Sequence, residues 1–194
     1  LTVNNALLAN VGWALTQSYS TGSGSGGSAT FNHCSVAQAN VLISTAQFFT
    51  NSFKNSIFAG VTSLGVPTPS GSYNGFYPET QDSFGTYQTI SNDDPFQSSG
   101  GGAYYLRADS EFREKGTTAG LPATLLTALK SKATQPPIEL PRFMLLSGEL
   151  TLFPQTARYD YESGPPDLGY WYDALDYTVD RKSTRLNSSH RIRS

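Results

Sequence analysis

The feature that most constrains this chain is a short pattern that recurs along its first third. Residues 3–11 align with residues 53–61, because an Asn, an Ala and a Val coincide and the apolar positions coincide. A weaker copy lies between them at residues 31–39, so the first interval is longer than the second. A strand-sized unit that repeats at such spacing predicts one supersecondary coil stacked on its own copies.

Stacking of the copies makes two specific predictions about side chains. Three apolar residues at the same place in each copy should lie over one another in a shared interior: Val3, Phe31 and Phe53. A polar ladder should run along one corner of the coils, formed by Asn5 and Asn55 with His33 between them. Residues 74–77 and 83–85 read as short strands beyond the three copies.

The pattern changes in the second half of the chain. Residues 121–132 place apolar side chains at helical spacing, and Pro122 suits a first helical turn. We therefore predict β-helix coils over residues 1–106. Residues 107–179 are predicted to hold an insertion with one helix and further strands of the same solenoid.

The last fifteen residues, 180–194, read like a translated sequencing adapter, and we exclude them as a non-native tail. They carry five basic residues, so the remaining chain has 8 basic and 14 acidic residues. No basic patch is left to neutralise phosphates, which argues against nucleic acid as a partner. The chain begins at Leu1 without a leader, and we expect a fragment of a longer protein, whose neighbouring coils would be its partners.

Composition favours an exported β-rich protein. Charged residues make up only 14% of the chain, and Gly, Ser, Thr, Asn, Tyr and Phe are prominent. Cys34 is the single cysteine, which excludes a disulfide framework and a metal site built on several Cys. No apolar run approaches about 18 residues, so no membrane span is predicted.

Four stretches carry a resemblance to a known family: the coil at 55–59, the run at 102–106 followed by 115–118, the helix at 121–132 running into 134–137, and the motif at 166–173. On these, the chain resembles right-handed parallel β-helix proteins, the pectate-lyase-like solenoids of large exported proteins of environmental bacteria. The resemblance implies an all-β, right-handed parallel β-helix with one short α-helix, in an extracellular or cell-surface setting. Family members often have His where this chain has Trp171.

Two pairs of acids are candidates for chemistry: Asp93 with Asp94, and Asp109 with Glu111. Adjacent carboxylates could bind Ca²⁺ or cleave a polysaccharide. The alternative is structural: Asp93 and Asp94 form a solvated turn before Pro95. The second pair would share one side of a continued strand, although pairing with nearby Arg107 and Arg113 would make it a surface salt-bridge cluster. We favour the structural interpretation of both pairs and predict no cofactor, with Ca²⁺ as the alternative.

The aromatic run near the end of the chain is a candidate for sugar contact. Its members are Tyr170, Trp171, Tyr172 and Asp173. Aromatic faces beside acids can bind sugars, but the same residues could pack inward, and we favour packing. The adjacent His33 and Cys34 would make a weak metal pair, and a corner histidine beside a buried cysteine is the preferred interpretation.

These observations predict a non-catalytic structural or adhesive segment of a large exported or cell-surface β-helix protein that contacts polysaccharide. The alternative is a polysaccharide lyase or glycoside hydrolase that acts in the groove of the solenoid. The fold cannot choose between them. An enzyme needs several acids, or acids with Arg or Lys, that converge in one groove.

Overall fold

The computed structural model describes residues 1–17, 26–45, 49–140, 164–175 and 177–179. Two parallel sheets dominate it. The first sheet contains β1 (Thr2–Asn4), β3 (Ser28–Asn32), β5 (Thr50–Lys54) and β7 (Ser70–Ser72). The second contains β2 (Leu7–Gln17), β4 (Ser35–Thr45), β6 (Ile57–Val66), β8 (Gly75–Tyr77) and β9 (Thr89–Ile90). The chain alternates between the sheets, so each of the first four coils contributes one strand to both, and the fifth contributes β9 to the second sheet.

The register of the strands confirms the predicted stacking. Val3 pairs with Phe31, and Phe31 pairs with Phe53. The rings of the two phenylalanines are stacked with their centroids 4.5 Å apart. The copies of the repeat therefore form successive coils of a parallel β-solenoid, and the prediction of an all-β fold with parallel sheets is confirmed.

Later coils are shorter than the first ones. Thr30 pairs with Ser52, and Ser52 pairs with Ser70. The stretch of chain from Ser52 to Ser70 is shorter than the one from Thr30 to Ser52. An isolated bridge from Ser72 to Thr86 marks a coil that is shorter still. The stack thus extends two coils beyond the repeat that is visible in the sequence.

The apolar core lies between the two parallel sheets. Aromatic rings fill its later coils, where Phe58 contacts Phe53, Phe76 and Phe84 at centroid distances of 5.1 to 5.3 Å. Side chains of the first coil, such as Val3 and Leu8, are only partly buried against this core. Residues 83–85, which were expected to form a strand, lie outside the strands, although Phe84 is buried.

One corner of the stack has the same backbone conformation in every coil. Five non-glycine residues occupy it with φ between 51° and 56°: Asn5, His33, Asn55, Tyr73 and Tyr87. We call these residues the corner ladder and each of them a rung. The left-handed region disfavours most side chains, and Asn tolerates it best. The shared conformation explains why Asn recurs in the sequence pattern.

The second half of the described chain forms small two-stranded sheets. An antiparallel pair joins β10 (Phe96–Ser99) to β11 (Gly102–Leu106), another joins β12 (Lys132–Ala133) to β14 (Tyr172–Asp173), and β13 (Ile138–Leu140) runs parallel to β15 (Tyr177–Val179). Helix α1 (Ala123–Leu129) confirms the predicted short helix and is shorter than residues 121–132. Residues 180–194, which were predicted to be a non-native tail, lie outside the described residues. Within the described ranges, no helix is long and apolar enough to cross a membrane.

Candidate functional site

A segment from the end of the chain crosses the corner ladder. We call residues 164–173 the strap. The backbone nitrogen of Gly169 donates to the carbonyl oxygen of Asn55 at 2.8 Å, and that of Tyr170 donates to Oγ of Ser35 at 2.9 Å. The strap therefore binds coils that lie far earlier in the sequence.

The side-chain amides of the two asparagine rungs each form a pair of hydrogen bonds with the backbone of one residue, accepting from its nitrogen and donating to its carbonyl oxygen. Asn5 Oδ1 accepts from the nitrogen of Trp171 at 2.7 Å, and its Nδ2 donates to the Trp171 carbonyl at 2.8 Å. Asn55 makes the same reciprocal pair with Thr117, at 3.0 and 2.7 Å. The predicted ladder exists, and its amides tie the corner to the segments that cover it.

The imidazole of His33 is enclosed between these rungs. Nδ2 of Asn55 lies 2.8 Å from Nε2 of His33. Because Thr117 fixes the orientation of the Asn55 amide, Nδ2 is the donor, and Nε2 of His33 must be an unprotonated acceptor. Burial lowers the pKa of His33 to about 3, opposed in part by the backbone of Gly169. The ring is therefore neutral at physiological pH.

Gly169 permits the close approach of the strap. Its φ is +82°, and a Cβ there would lie 2.6 Å from Oγ of Ser35 and 2.7 Å from Cδ1 of Ile57. Both the backbone angle and the contact distances exclude a larger side chain without rearrangement. The Asp-Leu-Gly-Tyr sequence at 167–170 thus has a structural reason.

The strap is also anchored by a buried ion pair. Oδ2 of Asp167 lies 2.8 Å from Nη1 of Arg113, and their side chains are only 8% and 14% exposed. Thr134 donates to the same oxygen, while the backbone nitrogen of Glu114 donates to Oδ1 at 2.9 Å. The guanidinium also donates to the carbonyl of Leu106 at 2.7 Å. Both charges are surrounded by hydrogen bonds, as buried charges require.

The residues proposed for sugar contact lie partly inside this structure. Trp171 is 4% exposed, packs with Leu125 and Leu129, and donates from Nε1 to the carbonyl of Asp167 at 3.3 Å. Its ring face is thus occupied by the core. Asp173 is exposed and paired with Lys132.

The two tyrosines of the run are half-buried. The rings of Tyr170 and Tyr172 lie 4.8 Å apart, and the ring of Tyr172 lies 4.1 Å from that of Tyr105. Desolvation raises the pKa of Tyr172 to about 12, which is typical of a phenol removed from water. These contacts fit the inward-packing interpretation, and a sugar-binding role for Tyr170, Tyr172 and Asp173 stays a prediction.

The acidic candidates Asp93 and Asp94 lie in a polar turn. Oδ1 of Asp94 accepts from the backbone nitrogen of Phe96 at 3.0 Å, and the backbone nitrogen of Asp93 donates to Oγ of Ser91 at 3.1 Å. Such bonds are typical of a polar turn. The predicted alternation of Asp109 and Glu111 on a continued strand is absent because β11 ends at Leu106.

Arg107 holds Asp109 through two hydrogen bonds of 3.0 and 2.8 Å, at an exposed position. The hydrogen bond from Arg107 is the main cause that lowers the pKa of Asp109. Asp93 and Asp94 lie near enough to raise the pKa of Arg107 further, behind the larger effect of Asp109. Across the described ranges, no group of three or more His, Cys, Asp or Glu residues lies where it could hold a metal ion.

Cys34 is fully buried beside the corner histidine His33, as predicted. Its Sγ lies 3.5 Å from the carbonyl oxygen of Asn32. Burial raises the pKa of the thiol to about 11, so the thiolate that a metal or an electrophile would need is disfavoured. The side chain behaves as a small apolar group in the core.

Of the residues around an open cleft at the corner, sequence reasoning had named only Glu111 as a candidate. A cleft of about 660 Å³ is lined by the last two rungs, Tyr73 and Tyr87, together with Glu111 and Lys115. We call it the tyrosine cleft. Continuing the alignment of the repeat through residues 72–76 would have marked Tyr73 as a rung, because Phe76 occupies the place of Phe58.

No family model, no curated protein and no solved structure matches this chain.

Proposed function

We propose that the chain is a non-catalytic segment of an exported or cell-surface β-helix protein of the pectate-lyase-like type, which serves as a scaffold and contacts polysaccharide. The observation that carries this proposal is the use of polar groups within the fold. Asn5, Asn55 and Asp167 all bond to backbone or buried partners around the strap. Because these side chains bond to other parts of the fold, they support a rigid corner and are not available to bind or activate a substrate.

A rigid stack suits a spacing or adhesive role. Each coil of a solenoid contacts its neighbours and presents a repeated outer surface, along which a long polymer can lie. The strap adds contacts between residues 166 positions apart, as between Asn5 and Trp171, and so binds residues 164–173 to the first coil. Such locking favours a mechanical role over the opening and closing that many enzymes need.

The rival function is cleavage of a polysaccharide by the charged group around Arg107. The electrostatic proximity of Asp93, Asp94 and Asp109 to this arginine favours it. Against it, the Arg107–Asp109 pair is exposed, with the carboxylate side chain 70% accessible. Exposed charges are well hydrated and lack the desolvated, preorganised setting that catalysis uses.

Incubation of the full chain with a panel of soluble polysaccharides tests the proposal. The panel includes a β-glucan, a xylan and a polygalacturonate, and the products are assayed as reducing ends and unsaturated uronates. We expect no product, together with retarded migration in gels that contain a bound polysaccharide. Product formation that is lost in Asp109→Asn would overturn the non-catalytic assignment in favour of the rival.

A further inference from the structure

The corner ladder changes its chemistry along the stack. Its first three rungs are Asn5, His33 and Asn55, which lie beneath the strap or the segment at Thr117. Its last two rungs are Tyr73 and Tyr87, which face the tyrosine cleft. The same backbone position thus carries hydrogen-bonding side chains where it is covered and aromatic rings where it is open.

Tyrosine is an unfavourable choice for these two positions. A left-handed backbone is unfavourable for most side chains, whereas Asn adopts it readily. Tyr87 moreover exposes 71% of its surface, so its ring gains little from burial. Backbone strain that coincides with an exposed aromatic side chain is a mark of a binding surface.

The two rings form an ordered platform. Their centroids lie 4.8 Å apart with an interplanar angle of 20°, which matches the spacing of strands in the stack. The platform is therefore held by the backbone register of the solenoid, and its rings are ordered before any ligand arrives. A preorganised surface loses less entropy on binding than a mobile one does.

Polar groups of both signs surround the platform. Glu111 offers a carboxylate acceptor and Lys115 an ammonium donor, while Gln88 and Thr89 add an amide and a hydroxyl. Gln88 is held by a bond from its Nε2 to the carbonyl of Gly85 at 2.8 Å. A ligand that fits must present apolar faces to the rings and groups at its edge that both donate and accept.

We propose that the tyrosine cleft is a binding site for neutral pyranose units of a polysaccharide. A pyranose ring has faces of C–H groups, which can pack on the tyrosines, and hydroxyls at its edge that donate to Glu111 and accept from Lys115. A cleft of about 660 Å³ falls within the common range for small-ligand sites. This inference rests on the proposed function and names the surface that makes the polysaccharide contact.

Charge selects a neutral sugar over a uronate. The carboxylate of Glu111 and the ammonium of Lys115 offset each other within the cleft. Without the predicted non-native tail the chain has 8 basic and 14 acidic residues, so it does not attract a polyanion. A proline-rich peptide would also stack on tyrosines, but its backbone carbonyls only accept hydrogen bonds and would leave the Glu111 carboxylate without a donor.

Asparagine substitutions test the site without straining the backbone. Tyr73→Asn and Tyr87→Asn install the residue that the ladder already uses at positions 5 and 55. Tyr87→Phe retains the ring and removes only its hydroxyl. Trp13→Asn is the matched control, since Trp13 is a 65% exposed aromatic residue in β2 of the first coil, at the other end of the stack.

Binding of the full chain to hydroxyethyl cellulose, mixed-linkage β-glucan, polygalacturonate and a polyproline peptide is measured by affinity electrophoresis and titration, after circular dichroism has confirmed folding. We expect the neutral glucans to bind best, with an affinity reduced about tenfold in Tyr87→Asn and largely kept in Tyr87→Phe and Trp13→Asn. If Tyr73→Asn unfolds the chain, the exposed Tyr87 carries the comparison alone.

The remaining outcomes separate this site from the proposed function. Glucan binding that is equal in wild type, Tyr73→Asn and Tyr87→Asn would overturn the site and leave polysaccharide contact standing. Binding of polyproline or polygalacturonate in preference to the neutral glucans would overturn the ligand assignment. Failure of the wild type to bind any of the polysaccharides would overturn both the site and the adhesive part of the proposed function.

Discussion

The side-chain amide of Asn5 and the backbone of Trp171 form two reciprocal hydrogen bonds of 2.7 and 2.8 Å across 166 residues of sequence. The Asn5 amide bonds to both the nitrogen and the carbonyl oxygen of Trp171, as the backbone of a neighbouring strand would. The strap is thereby joined to the first coil, and the corner of the stack acquires partners for polar groups that would otherwise be buried unpaired.

Replacement of Asn5 measures what this contact contributes. Asn5→Gly keeps the left-handed backbone at φ 53° and deletes the amide, so the loss reports the two hydrogen bonds. We expect the free energy of unfolding to fall by about 1–3 kcal/mol in urea denaturation. Asn10→Gly is the control, because Asn10 has φ 55° but makes an exposed bond to Tyr104. Equal losses in both variants would contradict a special role for Asn5.

Gly169 should be intolerant of even one added methyl group. Gly169→Ala places a Cβ within 3 Å of Ser35 and Ile57 at a φ of +82°. Overpacking and backbone strain together are expected to lower the stability by about 3 kcal/mol or more. Gly164→Ala, at the exposed start of the strap with nothing within 4 Å, should change the melting temperature little. A melting temperature unchanged in Gly169→Ala would refute the proposed fit of the strap.

Acid should unfold the chain through His33. The folded ring has a pKa of about 3, whereas the unfolded ring has its usual value of 6.5, so the unfolded state binds the proton first. The stability contributed by the neutral ring is complete above pH 6.5 and is lost as the pH falls towards 3, by about 1.4 kcal/mol per pH unit. His33→Asn suits the left-handed backbone and removes this titration. The difference in stability between wild type and His33→Asn should therefore shrink between pH 6.5 and 4.5, and a constant difference would contradict the argument.

The ion pair of Asp167 with Arg113 should matter far more than that of Asp109 with Arg107. Asp167→Asn leaves a guanidinium that is 14% exposed without its counter-charge, which is expected to cost about 3–5 kcal/mol in urea denaturation. Asp109→Asn breaks a pair of two hydrogen bonds at an exposed position, where water replaces them, and should leave the urea midpoint almost unchanged. Comparable losses would mean that the strap does not depend on the buried carboxylate.

The parts of the fold that the sequence revealed are those in which side-chain identity follows backbone geometry. Asn5 and Asn55 recur because the corner requires a left-handed residue, and Phe31 and Phe53 recur because they share one interior position. Tyr87 has the same backbone conformation as Asn5 but a different type of side chain. Comparison of residue types along the sequence therefore could not reveal the coil that contains it.

The strap was hidden for a different reason. No periodicity links Trp171 to Asn5, because their contact depends on how far the chain travels before it returns to the corner. The resemblance pointed to residues 166–173, yet only the geometry explains Gly169, whose missing side chain makes room for Ser35. The alternation of Asp109 and Glu111 could not be predicted from spacing alone, because the strand expected to align them ends at Leu106.

A double-mutant cycle tests the stacked interior on which the whole fold depends. Phe31 and Phe53 belong to different coils, and their rings stack at 4.5 Å, so Phe31→Leu and Phe53→Leu should each destabilise the chain. Their combined effect should differ from the sum of the two by about 0.5–1.5 kcal/mol, the value typical of an aromatic pair. Phe31→Leu combined with Phe112→Leu is the control, because Phe112 is buried in a separate cluster and the two effects should add. Strict additivity for Phe31 and Phe53 in urea denaturation would show that these coils do not share one core.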